Sequence, residues 1–338
     1  VGEGGWPLEV ISSETSALPL LQAGWFDPGA LMGCYPMARE PVEQDVRNKI
    51  DAMRRIGMNV AIVTYVEYHM YPYYPSEVFK YPPRLTFDVI EAVLSQADQN
   101  GMHVFLGIGR GSDWLLLWDG LSDSLRMQRA VDLSSRVATE LWQRYHHHPS
   151  FYGWYFTHEM NDLPRASAYY DPLADVCHAF APDKPVMVAP SGNPIFSPQI
   201  LKNSHVDIFA PIDCVGPGYK DHKYTLNPEI RIADLPEVYG HFREMFEGTG
   251  KHLWTDLEIW RFNKTEDAPT IPAPFDQVKR QIEIESRYVE MLTAYEFFGM
   301  MEAPESTLML GGEEAVHLYK EYENYYKLLI SNLKSTKP

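Results

Sequence analysis

Arg54–Val63, RRIGMNVAIV, and Asp98–Gly107, DQNGMHVFLG, read almost alike. Each closes a 3.6-periodic segment on a Gly-Met pair and passes at once into β-branched or aromatic residues. Glycine suits a helix end because it enters the left-handed conformation freely, and the short apolar run beyond it has the length of a buried strand. A helix handing directly to a buried strand, twice between residues 54 and 107, is the grammar of an α/β protein with parallel strands.

Working outward, the pattern predicts strands over Ala30–Tyr35, Asn59–Tyr65, His103–Gly109, Phe151–His158, Pro185–Ala189, Val206–Ile212, His252–Glu258 and Ala294–Met300. Helical periodicity lies between them, over Val42–Ile56, Thr86–Asn100, Leu125–Tyr145, Pro164–Phe180, Pro236–Glu247 and Pro274–Leu292. A short helix is expected at Pro198–Asn203 and a closing one at Glu313–Leu333. Eight strands each followed by a helix define a (β/α)8 TIM barrel, and 338 residues fit one such domain. Residues 30–338 are read as the barrel and 1–29 as a segment capping it. An open doubly wound sheet is the competing architecture, but no Gly-x-Gly-x-x-Gly follows the first strand, so nothing marks a dinucleotide site. Long loops follow strands two, three, six and seven, all on the C-terminal face where barrel enzymes build their sites.

Composition removes several functions. A formal charge of -17 with no Lys/Arg-rich run opposes a nucleic-acid partner, which needs a basic face. No apolar run reaches the ~18 residues of a membrane span. Cys34, Cys177 and Cys214 are too few and too scattered for a disulfide framework or a zinc knuckle. His146, His147 and His148 precede the fourth strand, on the face opposite the catalytic one, and consecutive residues cannot all converge on one ion. No metal or cofactor is therefore expected. VGEGGWPLEV at the start lacks a charged region leading into an apolar one. A signal peptide already removed would fit a secreted or periplasmic protein.

The chemistry lies at two strand ends. Phe151–Asn161, FYGWYFTHEMN, runs from apolar residues into His158, Glu159 and Asn161. Glu159 could cap the following helix, since Asp162 and Pro164 come next, but a glutamate closing a barrel strand also stands at the catalytic mouth. In HLWTDLEIW, period-2 alternation puts Trp254, Asp256 and Glu258 on one side. If that side faces the axis, Glu258 is at the mouth and Asp256 one layer deeper, as a catalytic or an ion-paired acid. Carboxylates ending strands four and seven would face each other across a cleft. Glycoside hydrolysis needs such a pair, at about 5–5.5 Å for retention of configuration and about 6.5–9.5 Å for inversion.

Here the residues carry a resemblance. A glutamate ending strand four and another ending strand seven resemble glycoside hydrolase clan A, which implies Glu159 as acid/base and Glu258 as nucleophile. Clan members place Asn before the acid/base, against the sugar 2-hydroxyl, whereas this chain has His158. A closer resemblance, over roughly residues 30 to 305, is to a glycosyl-hydrolase-like TIM-barrel family of long-unassigned function from polysaccharide-degrading bacteria. GMNVAIVTYVEY, GMHVFLGIGRGSDW, HPSFYGWYFTHEMN, VDIFAPIDCVG, LWTDLEIW and AYEFFGMMEAP carry it. It implies the barrel fold and carbohydrate chemistry but names no substrate; the leading hypothesis takes that substrate to be a poly- or oligosaccharide.

Around that pair, His158, Asn161, Tyr65, Arg110, Trp114, Asp213, Asp256, Trp260 and Glu296 are candidates for substrate binding. Arg110 follows strand three and could hold a carboxylate. Asp213 and Glu296 could orient substrate or form structural ion pairs. Tyr65, Tyr68, Tyr71, Tyr73, Tyr74, Trp114 and Trp118 could stack on sugar rings or pack their own loops. The leading reading is an O-glycoside hydrolase of retaining type. A non-catalytic carbohydrate-binding barrel and an inverting enzyme using the same pair are the alternatives.

Overall fold

The computed structural model describes residues 18–32, 37, 39–109, 124–221, 223–263 and 270–335. Eight strands close a parallel barrel: β1 (Ala23–Phe26), β2 (Val60–Val63), β3 (His103–Ile108), β4 (Phe151–Phe156), β5 (Val186–Val188), β6 (Ile208–Phe209), β7 (His252–Glu258) and β8 (Met291–Tyr295). Each is followed by a helix: α1 (Glu43–Arg55), α2 (Val89–Asn100), α3 (Ser124–Tyr145), α4 (Leu163–Phe180), α5 (Pro198–Asn203), α6 (Pro228–Phe246), α7 (Phe275–Glu285) and α8 (Gly312–Ser335). The protein is a (β/α)8 TIM barrel, as the sequence implies.

Local chemistry sets most boundaries. Asp88 Oδ1 accepts the Glu91 N–H at 2.9 Å to start α2, and Gly101 ends it at φ 61°. Asp162 caps α4, with Pro164 in its first turn, and Ser197 and Asn227 do the same before Pro198 and Pro228.

The first strand departs from expectation. The barrel's first strand, β1, lies at Ala23–Phe26, within the segment assigned to a cap, and residues 28–32, which include the described part of the expected Ala30–Tyr35, are a 3-10 turn. Gly24 pairs with Ala61 and Ala294, closing the barrel between β2 and β8. A Cβ on Gly24 would come within 2.8 Å of Met53 Cε and 2.9 Å of Met58 Sδ, so glycine lets α1 pack down on this strand. Further boundaries differ: the helix expected over Pro274–Leu292 ends at Glu285, because Met291 and Leu292 pair into the eighth strand. The eighth strand is Met291–Tyr295, with Phe297–Met300 forming a turn of helix beyond it. Helix α6 begins at Pro228 and holds Pro236 inside, where the start was expected. An interior proline costs about 3 kcal/mol, but this helix buries Ile232, Leu235, Tyr239 and Phe242, a larger apolar gain.

The core has two layers. Trp25, Ile62, Phe105, Tyr155, Met187 and Trp254 fill the axis, while alternate residues such as Val63, Leu106, Trp154, Val188 and Leu257 pack outward under the helices. No described helix is long and apolar enough to cross a membrane.

Candidate active site

Strand ends deliver acids to one face. Asp27 follows β1, Glu159 follows β4, Asp213 follows the β6 extension, Glu258 closes β7 and Glu296 follows β8. Trp254 belongs to the axial core, so the alternation in β7 turns Asp256 and Glu258 toward the axis as well.

Glu258 is 6% exposed, and its Oε2 accepts the Gly216 N–H at 2.8 Å. Burial and the neighbouring Asp213 carboxylate push its carboxyl well above the usual range, Glu159 adds to that, and the Arg231 charge and Gly216 N–H oppose it. Gly216 is required there: a Cβ would sit 2.9 Å from the Trp260 ring. Trp260, half-buried on the strand after Glu258, therefore walls the Glu258 loop.

Glu159 is partly buried, and burial alone raises its carboxyl to about 7. The main chain fixes its position, since the Ser191 hydroxyl donates to the Glu159 carbonyl at 3.1 Å. Its neighbour His158 is buried and neutral, with a pKa lowered to about 3 by burial. The His158 ring packs edge-on against Tyr169 at 4.7 Å, and its carbonyl accepts the Tyr170 hydroxyl. Both tyrosines stand on α4, so the helix after β4 aims the strand end. Asn161 lies partly buried just beyond, one residue before the Asp162 cap.

Asp213 is fully buried and saturated: Oδ1 accepts Val215 N at 2.9 Å and Glu258 N at 3.3 Å, and Oδ2 accepts Gln281 Nε2 at 2.6 Å. These donors make it a positioning group for the Glu258 backbone rather than a free acid. Burial nevertheless holds its carboxyl up at about 6. Arg231 Nε donates to the Asp213 carbonyl at 2.5 Å from α6. Asp256 is 3% exposed, its Oδ1 has no hydrogen-bond partner, and burial with Glu258 and Glu159 pushes its carboxyl well above the normal range.

Tyr65 joins the mouth: its phenol lies in the field of Glu159, Asp27 and Glu296. Glu296, 8% exposed, lies beside Tyr295. Tyr73 and Tyr74 do not join it. Both are buried, and the Tyr74 hydroxyl donates to Glu140 at 2.8 Å, so they pack their loop instead of offering a stacking face. Tyr71 stacks on Tyr81, with Arg84 over its ring. Arg110, Trp114 and Trp118 lie outside the described residues. On the opposite face His148 is hydrogen-bonded to Asp98 at 2.6 Å and Glu91 at 3.2 Å, and ligand-capable atoms of Glu91, His147 and His148 lie within 4.8 Å of one another.

Four groups escaped the sequence reading. Asp27, raised to about 6 by burial, and Trp25 were hidden by the misplaced first strand, although AGWF followed by Asp-Pro-Gly is a strand-and-turn signature that could have revealed them. Gln281 and Arg231 reach the site from helices, and no local pattern marks them.

A closed parallel barrel with acids at strand ends four and seven has the architecture of the glycoside hydrolase barrels resembled by the sequence. The chain belongs to the family described as Domain of unknown function (DUF4434), which matches residues 38–308. Among solved structures it is similar to a Bacteroides thetaiotaomicron VPI-5482 protein provisionally described as an alpha-L-fucosidase, with 19% identity, TM-score 0.70, and 91% of this chain and 93% of that one covered. It is also similar to a glycoside hydrolase family 5 mannosidase from Rhizomucor miehei, at 12% identity and TM-score 0.61, over 94% of each chain. A beta-galactosidase from the psychrophilic Marinomonas ef1 matches at 12% identity and TM-score 0.61, over 94% of this chain and 60% of that one. At such identities the likeness is one of fold. No curated protein matches the sequence.

Proposed function

We propose that the protein is a retaining glycoside hydrolase acting on a poly- or oligosaccharide, with Glu159 as acid/base and Glu258 as nucleophile. The observation that carries this is the unlike environment of two acids on one mouth. Glu159 is raised to about 7 by burial alone, which suits a proton donor at neutral pH. Glu258 is itself raised by burial and by Asp213, and the Gly216 N–H and the Arg231 field act against that rise, favouring the carboxylate that must attack. The productive form carries the proton on Glu159 and the charge on Glu258.

In the first step the Glu159 proton passes to the glycosidic oxygen as a Glu258 oxygen bonds to the anomeric carbon and the leaving sugar departs. Glu159, now a carboxylate, takes a proton from water; that water attacks the anomeric carbon and releases Glu258. His158, Asn161, Tyr65 and Trp260 are the proposed sugar contacts around the pair, and Arg110 and Trp114 stay proposed contacts on the sequence alone. Such a substrate implies a secreted or periplasmic location.

The test is hydrolysis of a glycan panel by the parent, Glu159→Gln and Glu258→Gln, with the anomer of the released sugar followed by NMR. Each substitution should lower kcat by about 10²–10⁴-fold or more, and the first product should keep its configuration. Variants as active as the parent would reject the assignment, and an inverted product would reject the covalent step.

A further inference from the structure

The pair proposed for catalysis leaves acids over. Asp213 is occupied by three N–H donors, but Asp27, Asp256 and Glu296 have no part in the reaction as written. They are contiguous with Glu159 through aromatic rings. Tyr65 and Tyr295 lie in the fields of Asp27, Glu296 and Glu159, and Tyr155 in those of Glu159 and Asp256. Trp25 stands edge-on to Tyr155 at 4.7 Å and to Tyr295 at 5.9 Å. The upper axis of the barrel is thus walled by aromatic rings with carboxylates set between them.

Asp256 makes this more than an acidic cluster. It is 3% exposed, turned toward the axis by the alternation of β7, and its Oδ1 has no partner. Burial and three carboxylates, Glu258, Glu159 and Asp213, act on it. Against them stands the Trp25 indole N–H, which the Thr293 hydroxyl already accepts at 2.9 Å. Arg231, the cation that faces Asp213 and Glu258, is held against the Asp213 carbonyl. A buried acceptor without a donor costs about 1–3 kcal/mol, so such a group points to a ligand that supplies one.

A sugar hydroxyl could donate one hydrogen bond, but it would leave the acids crowded in a dry pocket. An ammonium group donates three, lets Asp256 give up the proton that its surroundings favour, and is attracted to the faces of the surrounding rings. Resting on the reading that this mouth receives a sugar, we infer that the sugar bound beside Glu159 carries a free, protonated amine, accepted by Asp256 within the Trp25, Tyr155 and Tyr295 wall. The substrate class is then a glycan containing an unacetylated hexosamine. N-acetylation removes the charge and adds bulk where the carboxylates stand, so acetylated residues are discriminated against.

Binding can be measured without turnover. Glucosamine, galactosamine and mannosamine are titrated into the full chain by calorimetry at about pH 6, where the amine is protonated. Glucose, galactose and mannose are the neutral counterparts. At least one amino sugar should bind about tenfold or more tightly than its counterpart, the size of one desolvated charged hydrogen bond. That preference should vanish in Asp256→Asn and survive in Asp175→Asn, which alters an exposed acid paired with His205. Should Asp256→Asn melt before the titration temperature, Asp256→Ser decides in its place. A preference for neutral sugars, binding of none of the six, or an amine preference that survives these substitutions overturns the inference. An inactive protein that prefers the amine would sink the hydrolase reading alone; an active one that prefers neutral sugars would sink this one alone.

Discussion

Gln281 on α7 bridges Asp213 and Glu258, donating from Nε2 to Asp213 Oδ2 at 2.6 Å and to the Glu258 carbonyl at 3.0 Å. Asp213 in turn accepts the Glu258 N–H. The end of β7 is therefore held by side chains from two other elements, and the charge next to Glu258 is part of the holding device.

The first prediction concerns that charge. A neighbouring carboxylate raises an acid's pKa, so Asp213→Asn should lower that of Glu258. If Glu258 must be ionised to attack, the acid limb of kcat/KM moves to lower pH. A pH–rate profile of parent and variant checks this; a limb that stays in place or moves upward contradicts it.

Glu159 should cost the fold stability at neutral pH. Its folded pKa of about 7 exceeds the unfolded value near 4.5, so the penalty is absent well below pH 4.5, grows as pH rises between the two values, and is full above 7. Glu159→Gln removes it. After allowance for partial exposure the variant should be more stable by about 2 kcal/mol at pH 8 and indistinguishable at pH 4. Urea unfolding at the two pH values reads the difference.

His158 behaves in the opposite sense. Its pKa is lowered to about 3, so the buried neutral ring favours the fold above pH 6.5 and opposes it progressively as pH falls from 6.5 toward 3. His158→Asn, the residue that clan A resemblance would place there, removes ring contacts with Tyr169. We expect a loss of about 1–3 kcal/mol at pH 7 and a smaller loss at pH 5, measured by thermal melts.

Lys49 on α1 and Glu302, beyond β8, form a buried ion pair, 3% and 0% exposed. Lys49→Met alone should cost about 3–5 kcal/mol because it strands the Glu302 charge, whereas Lys49→Met with Glu302→Leu should recover most of that loss. Chemical denaturation of both variants decides; equal destabilisation of single and double variants contradicts the account.

Much of the barrel was legible because periodicity and helix punctuation are local. Pro198–Asn203 and His252–Glu258 were read with their observed bounds, since a capped proline start and strict alternation need no distant partner. The first strand was misread because only four residues form it and its glycine looks like a breaker. It is a strand through pairing with Ala61 and Ala294, and that pairing is not written near residue 24. Tyr73 and Tyr74 look like stacking faces in sequence because composition cannot tell a loop aromatic facing outward from one packed under its own loop.

By itself the sequence determined the alternation of strands and helices, and with it that Glu159 and Glu258 come at C-terminal strand ends and that Asp256 shares a side with Glu258, because side chains alternate along a strand with period 2. Only the tertiary structure decided which acids are spent and which are spare. Asp213 and Asp256 look equivalent in sequence, yet one is saturated by Val215, Glu258 and Gln281 while the other has a carboxylate oxygen without a donor. That difference comes from barrel closure and from a helix 68 residues away, and burial converts it into protonation states that no stretch of sequence carries.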